Sequence, residues 1–137
     1  MTRVLADTSA LYALADRDDD HHKNAVKIFE SLKERQIVLI LPNFILAETH
    51  TIINRRLGRE QAKAFLNSAI QDFHIERVSL EDEWSAHAFL QEVTREKDLS
   101  YFDAVTIAMA ERIGIDEIFS FDKHFSMMGL RLSHSSR

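Results

Sequence analysis

The chain has 137 residues, a formal net charge of −5 from 17 basic and 22 acidic side chains, and 45% hydrophobic residues with only three glycines and one proline. This supports one apolar core and excludes a disordered, collagenous or repetitive chain. The absence of cysteine excludes a disulfide framework, thiolate metal sites and a thiol nucleophile, and the acidic balance excludes nucleic-acid binding by a broad basic face.

Residues 1–137 read as a single domain. The opening stretch lacks the long apolar core and small-residue cleavage site of a leader, and no apolar run reaches the roughly 18 residues of a membrane span. A soluble, cytoplasmic protein is the expectation.

Val4-Leu5-Ala6 reads as a strand that feeds, through Asp7-Thr8-Ser9, a helix carrying Leu11, Leu14 and Ala15. Asp16 to Asp20 is a polar break. Ala25, Ile28, Phe29 and Leu32 follow amphipathic spacing in a helix over His22 to Arg35. The continuous run Ile37 to Leu41, ended by Pro42, predicts a strand covered on both faces and therefore parallel pairing. Asn43 to Leu57 carries Ile45, Ile52 and Ile53 and stops at Gly58, a residue suited to a left-handed helix terminus.

Arg59 to Gln71 should bury Ala62, Phe65, Leu66, Ala69 and Ile70. A short strand is expected over His74 to Val78. A helix then runs from Ser79 to about Lys97 with Trp84, Ala88 and Val93 inward, followed by a largely buried helix over Ser100 to Ile113 that Gly114 ends. Ile118 to Phe121 reads as the fourth strand, Asp122 to Met128 as a turn, and Leu130 to Leu132 as an edge strand. Strands alternating with helices predict a three-layer α/β/α domain with a mainly parallel sheet of four to five strands and right-handed crossovers. Ligands in such sheets bind at the carboxyl ends of the strands.

Four acids stand where folding alone does not favour them. Asp7 ends the first strand, at the position of the functional crevice, although it also suits a helix N-cap. Glu48 lies three residues after Ile45 and four before Ile52, on the stripe those residues mark as core-facing, unless a small rotation brings it to the rim. Asp103 opens the most apolar helix and also fits a capping box with Ser100. Asp122 follows the fourth strand as Asp7 follows the first, and it too can cap a turn.

Gathered in one crevice, these carboxylates would repel. Two unit charges about 4 Å apart cost about 4 kcal/mol at an effective dielectric near 20, so a cation is needed. Hard oxygen donors without His or Cys partners suit Mg²⁺ or Mn²⁺, which can activate water and steady the leaving oxygen of a phosphodiester. Neutralising the four acids takes the net charge from −5 to −1, so metal would supply much of the attraction for phosphate.

Val4-Leu5-Ala6-Asp7-Thr8-Ser9-Ala10-Leu11, Leu46-Ala47-Glu48-Thr49, Phe102-Asp103-Ala104 with Ala108, and Phe119-Ser120-Phe121-Asp122 resemble, in order and spacing, the four acidic motifs of the PIN-domain family. The likeness covers nearly the whole chain and is nearest to the small VapC-type toxins of bacterial and archaeal toxin–antitoxin pairs. It implies an Mg²⁺- or Mn²⁺-dependent endoribonuclease, with an RNA substrate, a small antitoxin partner and a homodimer. By the resemblance Asp7 and Asp103 are the principal metal ligands, Glu48 and Asp122 complete the acidic pocket, and Ser9 places its hydroxyl near metal or phosphate. One departure is the segment Asp122-Lys123-His124-Phe125, where many relatives carry Asp-x-Asp-Phe. That puts a second metal in doubt and leaves His124 as a weak ligand, an RNA contact or a solvated turn residue.

Other signals are weaker. Asp16, Asp18 and Asp20 begin like a calcium loop, but His21 and Lys27 stand where Gly and Glu are required. His21-His22 lacks partners at zinc-ligand spacing. Arg55, Arg56, Arg59 and Lys63 surround Gly58. Arg55 and Arg59 are candidate RNA-backbone contacts, although cations are also favoured at a helix C-terminus. Phe44, Ile53, Phe65 and Leu66 give the middle helices surplus apolar surface for a second subunit. Competing readings are a processing nuclease without an antitoxin and a PIN-like binding module. A partner's arginine, forking onto the metal-free acids, would inhibit the enzyme.

Overall fold

A computed structural model of the protein describes residues 2–92 and 99–135. Five strands, β1 (Arg3–Ala6), β2 (Val38–Pro42), β3 (His74–Glu76), β4 (Glu117–Phe119) and β5 (Arg131–Leu132), form one sheet in the order β3-β2-β1-β4-β5. Every pairing is parallel. Among the described residues seven helices flank it: α1 (Thr8–Ala15), α2 (His22–Glu34), α3 (Asn43–Leu57), α4 (Arg59–Asp72), α5 (Leu80–Glu92), α6 (Tyr101–Ile113) and the short α7 (His124–Met127). The predicted α/β class and parallel sheet are both found.

β1 lies at the centre, with Leu5 opposite Ile118 and Ala6 opposite Phe119 of β4. From β1 the chain moves outward to β2 and β3, then returns across β1 to β4 and β5. The reversal places the topological switch point between β1 and β4, where adjoining loops diverge and leave a crevice. Val4, Leu5, Leu41, Ile118 and Phe119 are essentially inaccessible, as expected of a parallel sheet covered on both faces.

The helices correct several expectations. Ile70 is 61% and Trp84 64% exposed, and Ala88 is exposed too, whereas Asp82 and Ala86 are the inward residues of α5. Asp82 is buried because Arg112 of α6 donates to both its oxygens, from Nε at 2.8 Å and Nη2 at 3.0 Å. Val93 and the predicted continuation to Lys97 lie outside the described residues. Ile53 is core, packed with Tyr12 and Ala62, and Phe44 meets Phe102 edge to face at 5.1 Å, so neither is surplus surface. Phe65 and Leu66 remain half-exposed. The predicted turn after Asp122 is the helix α7.

A second buried carboxylate stands at the start of β4. Glu117 accepts from both terminal nitrogens of Arg35 at 3.1 Å, and also from Arg131 and the Ser133 hydroxyl. Burial works against its charge, but these donors win and hold its pKa below the ordinary value. Gly58 joins α3 to α4 at φ 102°, a conformation L side chains rarely adopt, and Gly114 ends α6 in the left-handed region. Among the described residues no helix is long and apolar enough to cross a membrane.

Candidate active site

The switch-point crevice is a cleft of about 410 Å³ whose lining includes Asp7, Glu48, Asp103 and Asp122. The four sequence-predicted acids are thus brought together from the end of β1, the second turn of α3, the first turn of α6 and the loop after β4.

Asp7 is the deepest of them, 7% exposed. It caps α1 and is held by hydroxyls: Ser120 donates to its Oδ2 at 2.8 Å and Ser9 at 3.0 Å. Burial raises its pKa above the ordinary carboxylate value, while those hydrogen bonds pull it down. Ser9 Oγ also accepts the Phe121 N–H at 2.9 Å, and Ser120 Oγ accepts the Asp122 N–H at 2.9 Å. Two serines therefore lock the ends of β1 and β4 together. The Asp7 N–H, bonded to the Phe119 carbonyl at 3.0 Å, continues the ladder into the loop.

Glu48 is half-buried at the cleft wall, where the Thr8 hydroxyl donates to its Oε1 at 2.5 Å and Thr49 in turn donates to Thr8 at 3.2 Å. Asp103 completes the capping box: its N–H reaches Ser100 Oγ at 3.0 Å, and its Oδ2 accepts from the Ser100 N–H at 3.3 Å. Capping and cleft lining are both met by one carboxylate, because the first turn of α6 points its side chains at the crevice. Asp122 Oδ1 accepts the His124 N–H at 3.0 Å and lies 3.0 Å from the His124 ring nitrogen Nδ1.

One ligand atom from each of Asp103, Asp122 and His124 lie within 4.8 Å of one another, a set able to hold a metal ion. The Lys and Arg ion pairs of the described residues fall on other carboxylates: Glu60, Glu76, Asp82, Asp116 and Glu117. Asp7 and Glu48 line the same cleft as Asp103 and Asp122, and carboxylate oxygens of this kind are donors that suit a hard divalent cation.

The other sequence candidates separate. Arg55 and Arg59 are exposed and stand outside the lining, whereas Arg56 is part of it. Its guanidinium sits 5.3 Å from the Tyr12 ring centre, and the Tyr12 hydroxyl donates to Asp16 at 2.6 Å. That bond holds the Asp16 pKa down and the Tyr12 pKa up. His21 and Asp19 also line the cleft. The acidic break is therefore built of aspartate-capped turns rather than a calcium loop, with Asp16 accepting the Asp18 N–H and Asp19 the His21 N–H. Tyr12 was missed, although its position one turn beyond Thr8 on α1 puts it on the cleft side. His21 and Arg56 carry no periodic signal.

Residues 4–129 match the PIN domain family. The chain is 30% identical over 127 residues, 92% of its length and 94% of the relative's, to the 23S rRNA-specific endonuclease VapC20 of Mycobacterium tuberculosis. The crystal structure of that VapC20, a sarcin–ricin loop cleaving toxin, superposes with a TM-score of 0.81 at 31% identity over 93% of this chain and 95% of that one. VapBC2 from Rickettsia felis, solved with a DNA fragment from its promoter, shares the fold with a TM-score of 0.74 at 12% identity, covering 96% and 98%. The family match over residues 4–129 and the 30% identity over 92% of the chain lead to one conclusion: the chain belongs to the PIN-domain family, and within it is similar to the VapC toxin endonucleases.

Proposed function

We propose that residues 1–137 form a metal-dependent endoribonuclease, the toxin of a toxin–antitoxin pair, whose substrate is a loop of 23S ribosomal RNA in the cytoplasm. The observation that carries this reading is the convergence of Asp7, Glu48, Asp103 and Asp122 on one cleft. The RNA class rests on the likeness to VapC20 over 92% of the chain. Intact acids favour a nuclease over a binding module.

Asp7, Asp103, Glu48 and Asp122 would hold Mg²⁺ or Mn²⁺, with His124 beside Asp122 as a supporting donor. The bound ion supplies positive charge for the phosphate oxygens and lowers the pKa of water. The chain's own residues arrange the rest. Ser9 and Ser120 fix the Asp7 carboxylate and, through the Phe121 and Asp122 N–H groups, the loop that carries Asp122. Ser9 is therefore a positioning residue, its hydroxyl turned to Asp7. Thr8 aims Glu48 in the same way. Arg56, seated over Tyr12, binds an RNA phosphate at the cleft edge, the task the sequence suggested for Arg55 and Arg59. The small antitoxin covers this cleft and the toxin pairs as a homodimer.

The test is expression of the chain alone and with its antitoxin, with mapping of new RNA ends. Alone it should stop growth and cut 23S rRNA at one site. Unimpaired growth with intact rRNA would overturn the reading.

A further inference from the structure

We propose that the His21 ring, backed by Phe121, is a platform on which one unpaired base of the RNA substrate stacks. The inference rests on the ribonuclease reading and adds to it the element that recognises a base rather than a phosphate.

The two rings lie parallel, 9° apart with centroids at 4.3 Å. Phe121 is half-buried and His21 exposed, and His21 lines the cleft beside the acids. The pair therefore presents one π face outward at the wall of the acidic site. Its mounting is firm. The Phe121 N–H is held by Ser9, the serine that also holds Asp7, and Phe121 directly precedes Asp122. The His21 N–H is fixed on the Asp19 carboxylate at 3.0 Å. The platform is thus tied through Phe121 to the framework that places Asp7 and Asp122, and a base seated on it sets the register of the backbone against them.

The chemistry suits this cleft. Among the described residues that line it stand five carboxylates, Asp19 with the four predicted acids, and the arginine Arg56, so the charge of these side chains does not by itself draw RNA in. Stacking on an aromatic ring does not depend on backbone charge and contributes a large share of single-strand affinity. A base inside a duplex has both faces covered, so only a loop or extruded nucleotide can use the platform. Selection of a loop over a helix follows from the two rings.

The probe is a synthetic 23S rRNA sarcin–ricin hairpin, intact or with an abasic nucleotide at each loop position in turn, cut by the full-length chain with Mg²⁺. His21→Ala should raise KM about tenfold with kcat within about twofold, as loss of one stacked base predicts. His21→Phe should restore KM and His21→Leu should not. At one loop position the abasic substitution should cost the wild type the same factor and cost His21→Ala nothing further. Unchanged KM in His21→Ala, rescue by Leu as well as Phe, or a penalty that adds equally at every abasic position would overturn the platform, the last two marking a residue that only supports its loop. If the wild type does not cut the hairpin at all, the functional reading fails and the platform with it. Cutting that ignores His21 fails the platform alone.

Discussion

The Thr8 hydroxyl donates to Glu48 Oε1 across 2.5 Å, joining residues 40 positions apart at the wall of the cleft. Thr8 opens α1 immediately after Asp7, and Glu48 rises from α3, so one hydrogen bond sets the spacing of two carboxylates. Thr8→Val keeps the shape and removes the donor. It should lower cleavage by roughly 10–100-fold, the usual effect of a group that orients a metal ligand, and lower stability by only about 1 kcal/mol. Cleavage rates and thermal unfolding of the same preparation check both figures.

Ser120 gives Asp7 its shortest hydrogen bond, 2.8 Å. Burial already raises the Asp7 pKa, and this bond opposes that shift. In Ser120→Ala the opposing donor is gone, so Asp7 stays protonated to higher pH. The acid limb of the cleavage profile should move upward in pH while the rate on the alkaline side changes less, a shift read from rates at fixed metal concentration.

Arg56 stands in the cleft above Tyr12. Arg56→Ala should weaken RNA binding by about tenfold, and the slope of log affinity against log salt should become shallower by about 0.7, as expected when one phosphate contact to a single strand is lost. Arg55→Ala, outside the lining, should change the affinity less. Binding isotherms at several salt concentrations separate the two arginines.

Much of the fold was legible because parallel strands buried on both faces announce themselves as apolar runs, as Ile37 to Leu41 does. Asp7 and Asp122 were legible because the ends of strands are where such sheets place chemistry. The faces of α5 were not. Periodicity assigns apolar side chains inward, yet Asp82 is the buried residue and Trp84 is 64% exposed, because Arg112, distant in sequence, compensates the Asp82 charge. The places of His21 and Arg56 in the cleft were not legible for a related reason: a ring stack on Phe121 and a cation over Tyr12 are long-range contacts with no local spacing. The capping-box and functional readings of Asp103 proved compatible in space, since one carboxylate both caps α6 and faces the cleft.

Asp82 gives a test of stability separate from the cleft. Burial works against its charge, but the Arg112 guanidinium and the Ser79 N–H and hydroxyl hold its pKa below the ordinary value. A depressed folded pKa contributes stability that is present above the ordinary carboxylate range and is lost as pH falls through the folded value. Asp82→Ala should cost about 3 kcal/mol near neutral pH by leaving Arg112 without its buried partner. It should also remove part of the acid-induced loss expected of the wild type below about pH 4. Denaturant unfolding at a series of pH values measures both.

Cleavage of purified ribosomes by the isolated protein decides whether the acidic cleft cuts ribosomal RNA with the help of a divalent cation. With Mg²⁺ or Mn²⁺, primer extension should find one new end in 23S rRNA. A chelator should abolish it. Asp103→Asn, which keeps the oxygen that accepts the Ser100 N–H, should remain folded and lose more than the roughly 100-fold expected of a merely orienting residue. Intact rRNA, cleavage undiminished by the chelator, or an Asp103→Asn protein that cuts as fast as the wild type would rule out a metal-dependent ribonuclease built on these acids.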